Sequence, residues 1–306
     1  MNWVDVAWVA MAAASLTLGL IHLYVWTKQP VRLDYLLFFV LAAASAAFGA
    51  FELAMMHAET PLEYATTLRW AHVPLAVFVV LIPAFVLVHF GTGRPWLAWT
   101  IGALRVLTLI LNFTTGTSVN FREITALVQY LVWGGVAVSA PIGVLNPWSV
   151  IPTLSNVLLL AFVVDASLAL WRRGGADARR RAFVVGGSVA VCIVATAGSA
   201  ALILSGLLPA PTILTPAFLA VLAAMGYELG SDVIHSAQLS AALKASDARL
   251  RASEQRMYAV VEATPSAILL VDPAGTIVLA NAQAERVFGY ARADMLGQPV
   301  EFLVPE

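Results

Sequence analysis

Residues 211–263, PTILTPAFLAVLAAMGYELGSDVIHSAQLSAALKASDARLRASEQRMYAVVEA, change solvent at Gly230. Up to that glycine the run is apolar and about 20 residues long, enough to cross a bilayer as a helix. Beyond it charged residues return, and 231–263 contains no Gly or Pro and is rich in Ala, Leu, Arg and Gln, which predicts one long helix. Along that helix Leu239, Leu243, Ser246, Leu250, Ser253, Met257 and Val260 succeed one another in alternating steps of four and three, a heptad seam with two polar positions. Two readings stand. One is a solvated amphipathic connector. The other is a parallel dimeric signalling helix, softened at Ser246 and Ser253 so that its register can shift, and it is favoured because the helix leaves a membrane directly for another domain.

Working toward the N-terminus, further apolar segments of spanning length lie at about 4–26, 35–57, 68–90, 97–112, 150–171 and 182–206, which with 211–230 makes seven. The whole chain agrees: 60% of its 306 residues are apolar and 11% charged, against roughly 45–50% and about 25% in an ordinary soluble domain. Mean hydropathy is +0.85. The fourth segment is short, and 121–140, FREITALVQYLVWGGVAVSA, is apolar enough to be an eighth span, a re-entrant element or a surface helix. Seven spans put Lys28, Arg32, Arg94, Arg172, Arg173, Arg179, Arg180 and Arg181 on one side, the cytoplasmic one by the positive-inside rule, with the N-terminus outside. Eight would flip the arginine-rich loop or turn the N-terminus inward. Trp26, Trp70, Trp96, Trp148 and Trp171 lie near span ends, where headgroups favour amphipathic rings. The first segment lacks a basic n-region and is too long for a signal-peptide core, so it reads as a retained helix. A net charge of −1 and the single Cys192 leave no case for nucleic acid, a disulfide framework or a Cys-based zinc site.

Beyond residue 263 the period changes. AILLVD (267–272), PAG and TIVLAN (276–281) read as two short strands and a tight turn, and AQAERVFGY continues as a short helix. The run 257–306, MYAVVEATPSAILLVDPAGTIVLANAQAERVFGYARADMLGQPVEFLVPE, resembles the first half of a PAS domain: a leading helix ending at Pro265, the hairpin, Asn281 opening the next helix, then FGY and MLGQPVEFLVPE. The resemblance covers about 50 residues, whereas a full PAS fold needs roughly 100, so the chain reads as an N-terminal fragment. The fold expected is therefore a membrane all-α seven-helix bundle, a coiled-coil signalling helix and the first half of an α+β PAS domain. The order of parts is similar to the input half of bacterial seven-transmembrane sensor histidine kinases in the inner membrane. That resemblance implies a homodimer, autophosphorylation with ATP in a kinase domain beyond residue 306, and phosphotransfer to a response regulator. A diguanylate cyclase or phosphodiesterase output is the alternative within signalling.

Ionisable residues inside a span are costly and mark candidate sites. Arg105 and Asp165 sit at depths close enough to pair, either fixing helix packing or serving as a charge switch, with Arg105 alternatively snorkelling or holding an anion. Glu52, Met56 and His57 end the second span, and Arg69 and His72 begin the third, across one short loop. The spacing permits Glu52 to meet Arg69 or His72. This cluster is a candidate site for a small external ligand or, with methionine and histidine together, for copper; ordinary packing competes with both. His22 and His89, at like depth in spans one and three, are a weak candidate pair of haem ligands against the commoner reading of hydrogen bonds to neighbouring helices. No catalytic residue is assigned, because no phosphate-cradling loop, nucleophile elbow or HExxH helix occurs. A retinal photoreceptor would need a lysine in the last span, and the only lysines are Lys28 and Lys244. A membrane transporter is the rival from another class, weakened by the lack of a visible internal repeat. AAASAAFGA (42–50) and GGSVAVCIVATAG (186–198) suit close helix packing, and Pro83 and Pro216 are expected to kink their spans.

Overall fold

Helix α1 (Trp3–Lys28) opens on a reciprocal cap: Asp5 donates its backbone N–H to Asn2 Oδ1 at 3.0 Å, and Asn2 donates its own to Asp5 Oδ2 at 2.8 Å. The computed structural model describes residues 2–132, 134–204 and 213–304. Helix α2 (Leu33–Met56) returns antiparallel to α1, and α3 (Pro61–Phe90) follows from a Thr60 cap with proline in its first turn. The polar turn Pro-Leu-Glu-Tyr thus lengthens the third helix beyond its apolar run. Gly91, at φ 62°, closes α3 in the left-handed conformation, and Pro95 starts α4 (Pro95–Thr114). Among the described residues, seven helices are long and apolar enough to cross a membrane.

Segment 121–140 is neither an eighth span nor a helix. It forms β1 (Phe121–Val132), paired antiparallel with β2 (Val136–Leu145) from Phe121↔Leu145 to Val132↔Val136. Gly134 and Gly135 both take positive φ, 83° and 77°, as a tight hairpin turn demands and as side chains resist. The hairpin lies on the end of the bundle where α2 stops and α3 begins: Ser139 Oγ donates to the Ala58 carbonyl at 2.6 Å, and Val138 packs with Val4, Trp8 and Met56. A short 3₁₀ turn, Pro147–Ser149, capped by the Asn146 side chain, then leads into α5 (Val150–Arg173).

The sixth span is built in pieces: α6 (Ala176–Arg181), a wide five-residue turn at Ala182–Gly186, and α7 (Gly187–Leu204). A Cβ at Gly186 would fall 1.9 Å from Ser167 Oγ, so backbone contact with α5 depends on that glycine. Of the expected spans 182–206 and 211–230, residues 205–206 and 211–212 lie outside the described residues. The seventh span and the following helix are one element, α8 (Thr215–Ala263), 49 residues long. Pro216 does not kink it, because it occupies the first turn, where the missing N–H has no intrahelical partner to lose.

Phe218, Val221, Leu222, Met225 and Leu229 of α8 are almost wholly enclosed. Phe218 stacks on Phe78 of α3 at 4.3 Å between ring centroids and meets Phe48 of α2 at 5.4 Å. Five such side chains, each worth roughly 1.5–3 kcal/mol on full burial in water, would anchor a soluble helix; in lipid the gain comes from packing instead.

The chain divides into two units, 1–232 and 233–306. In the second, β3 (Leu269–Val271) pairs antiparallel with β4 (Ile277–Ala280). Asp272 closes the turn, its Oδ1 accepting the N–H groups of Ala274 and Thr276 at 2.9 Å. Then come α9 (Ala282–Phe288), α10 (Arg292–Met295) and a 3₁₀ turn at Val300–Leu303. Ile277, Ala280, Ala284 and Met295 form a small core, covered by Leu269, Phe288, Val300 and Leu303. The hairpin is the only sheet of this unit among the described residues, and Leu270 and Val278 remain half exposed.

Candidate functional site

Two polar clusters of the first unit lie at the start of α8 and near Asp232, the two ends of its apolar part. At the hairpin end Glu52, 2% exposed, accepts three hydrogen bonds: from Trp8 Nε1 at 2.9 Å, the Leu214 N–H at 2.6 Å and the Thr215 N–H at 3.1 Å. The last two are the free donors at the start of α8, so a carboxylate of α2 caps the last of the seven long apolar helices. Gly49, one turn before Glu52, leaves the space for this approach, since a Cβ there would sit 3.2 Å from the Thr215 methyl.

Glu52 therefore does not meet Arg69 or His72, as the loop spacing suggested. Both residues of α3 face the segment leading into the hairpin instead. Arg69 donates from Nε to the Thr117 carbonyl at 2.9 Å and from Nη2 to that of Gly116 at 2.9 Å, while His72 bonds the Leu68 carbonyl through Nδ1 at 2.8 Å and approaches Asn120 Nδ2 with Nε2 at 3.4 Å. Asn112, fully enclosed, donates to the Arg69 carbonyl and accepts the Val119 N–H. His57 lies elsewhere, 2.6 Å from Asp5, and Met56 belongs to the apolar cluster under the hairpin. The five candidates thus fall into four separate environments, with Arg69 and His72 sharing one. Among the described residues no group of three or more His, Cys, Asp or Glu side chains is placed to hold a metal ion. The loop 115–120, invisible to a search for charges, supplies most of the partners.

At the opposite end, Asp34 of α2 takes a forked pair of bonds from Arg32, at 3.1 Å from Nε and 2.8 Å from Nη2, and lies 3.2 Å from His89 Nδ1 of α3. Arg32 also reaches Asp232 of α8 at 3.4 Å, and Arg181 at the end of α6 meets the other oxygen of Asp232 at 2.5 Å. Beside them Arg180 pairs with the enclosed Glu228 at 3.3 Å and donates to Ser231 Oγ at 3.3 Å. Hydrogen bonding to Asp34 holds the Arg32 guanidinium above its ordinary range, so the charge persists at any physiological pH. Four helices are joined here around the exit of α8. Sequence reading missed the latch, although Glu228 and Asp232, spaced i and i+4 at the end of an apolar run, share one face opposite an arginine triplet.

Arg105 and Asp165 do not pair. Arg105, 3% exposed, donates to Ser155 Oγ at 3.1 Å and to the Asn156 side-chain oxygen, whereas Asp165 meets Arg94 at 3.3 Å near the arginine-bearing end. Ser155 and Asp165 are ten residues, about 15 Å, apart along α5, so one guanidinium cannot serve both. Stability losses from Arg105→Ala and Asp165→Ala are accordingly expected to add within about 0.5 kcal/mol in detergent melting; a double variant no worse than Arg105→Ala would place the two in contact. His22 bonds the Leu18 carbonyl at 2.8 Å and packs 4.4 Å from the Phe38 ring, while His89 is engaged with Asp34 and stacks on Phe85 at 5.2 Å, so each has its own protein partners.

In the second unit Asn281, fully enclosed, caps α9 by accepting the Ala284 N–H at 2.9 Å and accepts the Ile268 N–H at 2.9 Å. Its Nδ2 donates to the carbonyls of Val261 and Ser266 at 3.0 Å. One side chain thereby ties the end of α8 to β3 and α9, and Arg292 adds paired bonds to Glu262 at 2.6 and 2.7 Å. Leu239, Leu243, Leu250 and Met257 of the heptad seam are each 60–66% exposed. The same four-three steps run back through Asp232 to Leu229, Met225, Leu222 and Phe218, so one stripe of α8 is enclosed in the bundle and exposed beyond it.

Residues 255–306 match the family model of the PAS fold. No curated protein and no solved structure matches the chain. A PAS segment of this kind suggests a signalling sensor, and the seven apolar helices suggest a multi-pass membrane protein.

Proposed function

We propose that residues 1–232 are the sensory input of a membrane receptor and that α8 relays its state to the PAS segment. One observation carries this reading: α8 is a single helix whose first half is held by side chains of α2, its N-cap Arg32 and α6, at its start and at Asp232, and whose last turn is fastened into the PAS core. A cue that favours one arrangement of those contacts over another shifts α8, provided it binds the two states with different affinity. The parent protein is, on this reading, a two-component sensor histidine kinase of a bacterial inner membrane. Its N-terminus is outside, its C-terminus is cytoplasmic, and its output domain phosphorylates itself with ATP and passes the phosphoryl group to a response regulator. The resemblance of the whole order of parts supports that assignment.

The relay works through a homodimer. Leu239, Leu243, Leu250 and Met257 provide an exposed apolar seam, and a second copy of the chain covers it in parallel. Leu243→Asp and Leu250→Asp are each expected to convert the full chain in detergent from dimer to monomer, with sedimentation velocity as the measurement; unchanged dimers would remove the coiled coil from the scheme. Transmission is tested by placing a cysteine at position 243 in a Cys192→Ala background. Breaking the latch with Arg181→Ala should change the rate of disulfide crosslinking between protomers. An unchanged rate would mean that the bundle end of α8 does not govern the seam.

A further inference from the structure

Charges of opposite sign flank the apolar seam of α8. On one side Arg249 and Arg256 immediately precede Leu250 and Met257; on the other Asp247 and Glu254 immediately follow Ser246 and Ser253. These are the g and e positions of the heptad, the ones whose side chains reach across to a facing helix. All four charged side chains are exposed, and among the described residues none of them meets a hydrogen-bond or ion-pair partner. Their own helix offers one: Arg251 stands four residues after Asp247 and three before Glu254, and neither contact forms.

We infer that Arg249 pairs with the partner's Glu254 across the seam, and that this contact, made twice in the dimer, selects a second copy of the chain in parallel and in register. In a parallel dimer a g side chain faces the e side chain five residues further along the other helix, which sets Arg249 against the partner's Glu254 and, by the two-fold symmetry, the reverse. Turned antiparallel, g faces g and e faces e, so arginine meets arginine and carboxylate meets carboxylate. The leucines alone do not choose, since they serve either direction. Neighbouring heptads do not choose either: Ala242 stands opposite the partner's Asp247, and Arg256 opposite the partner's Val261. The matched layer falls in the stretch from Ser246 to Ser253, where two seam positions are polar and apolar packing contributes least. The inference rests on the dimer reading above and adds to it the residues that choose the partner and its direction.

Two full chains in detergent, one carrying Arg249→Glu and the other Glu254→Arg under separate affinity tags, test the pair. Each variant alone sets like charges together at both contacts and is expected to dimerise about tenfold more weakly than wild type in sedimentation velocity. Mixed, the two restore both attractions, and about nine-tenths of the dimers should carry both tags where random assortment gives about half. The double variant Arg249→Glu with Glu254→Arg should dimerise like wild type, which also shows that neither change harms the fold. Salt at about 1 M should erase these differences, because exposed charges are then screened. Tighter dimers of Arg249→Glu would mean that the helices run antiparallel, where the change relieves a clash of arginines, and would overturn the proposal. Random assortment of the two variants, with each dimerising as wild type does, overturns it as well. Leu243→Asp separates that failure from failure of the dimer reading: if it yields monomers, the coiled coil stands and only the charge selection falls, whereas unchanged dimers remove both.

Discussion

Glu52→Ala is expected to destabilise the membrane unit by about 3 kcal/mol, the largest loss anticipated for a single substitution outside the apolar core. Three donors lose their acceptor at once, two of them at the start of α8 and one on the Trp8 ring, in surroundings where water does not replace it. Partial relief by other acceptors keeps the figure below the sum of three separate losses. Glu52→Gln should fall between wild type and Glu52→Ala, since it preserves one oxygen but turns an NH₂ group toward a donor. Melting of the purified chain in detergent, followed by tryptophan fluorescence, measures both. His57→Ala, in which only the exposed contact to Asp5 is lost, should cost about 1 kcal/mol or less. Equal losses at 52 and 57 would mean that Glu52 does not cap α8.

The second large effect concerns charge rather than capping. Glu228 is wholly enclosed, and Arg180 is its only charged partner among the described residues. Removing Arg180 strands a buried carboxylate, which costs about 3–5 kcal/mol for a fully buried pair; Arg180 is 40% exposed, so water screens part of this and about 2 kcal/mol is expected. The decisive measurement is the double variant. Arg180→Ala with Glu228→Leu should regain most of the lost stability, because the second change removes the charge that the first left unpaired. If the double variant melts below Arg180→Ala, the pair is held by its packing and hydrogen bonds and not by charge.

These two predictions rest on residues that differ in how plainly the sequence announced them. Glu52 stood out as an acid inside a span, but its partner was sought among nearby charges, Arg69 and His72. The true partners are two backbone N–H groups some 160 residues away, and a backbone donor has no letter in the sequence. Arg180 and Glu228 were individually visible, yet pairing them requires knowing that the sixth and seventh helices lie side by side. Arg105 and Asp165 show the converse error: depth counted from span ends brought them together, whereas the offset between α4 and α5 separates them by about three turns. The hairpin at 121–145 illustrates a signal present and outweighed. Gly134–Gly135 between valine-rich runs is a hairpin pattern, but hydropathy averages over a window and cannot distinguish an apolar strand from an apolar helix.

What the sequence by itself determined is whatever depends on local composition and period. Twenty-residue apolar runs decide the spans because in a bilayer a helix satisfies its backbone groups within its own run, and the four-three steps of α8 and the short strands after Pro265 follow from the geometry of one element at a time. The tertiary structure alone decided which polar groups face one another. Helix order, relative depth and rotation are set by the packing of side chains such as Phe218 against Phe78 and Phe48 and by glycines such as Gly49 and Gly186, and that packing puts Glu52 on the first turn of α8 and Arg32 and Arg181 on its exit.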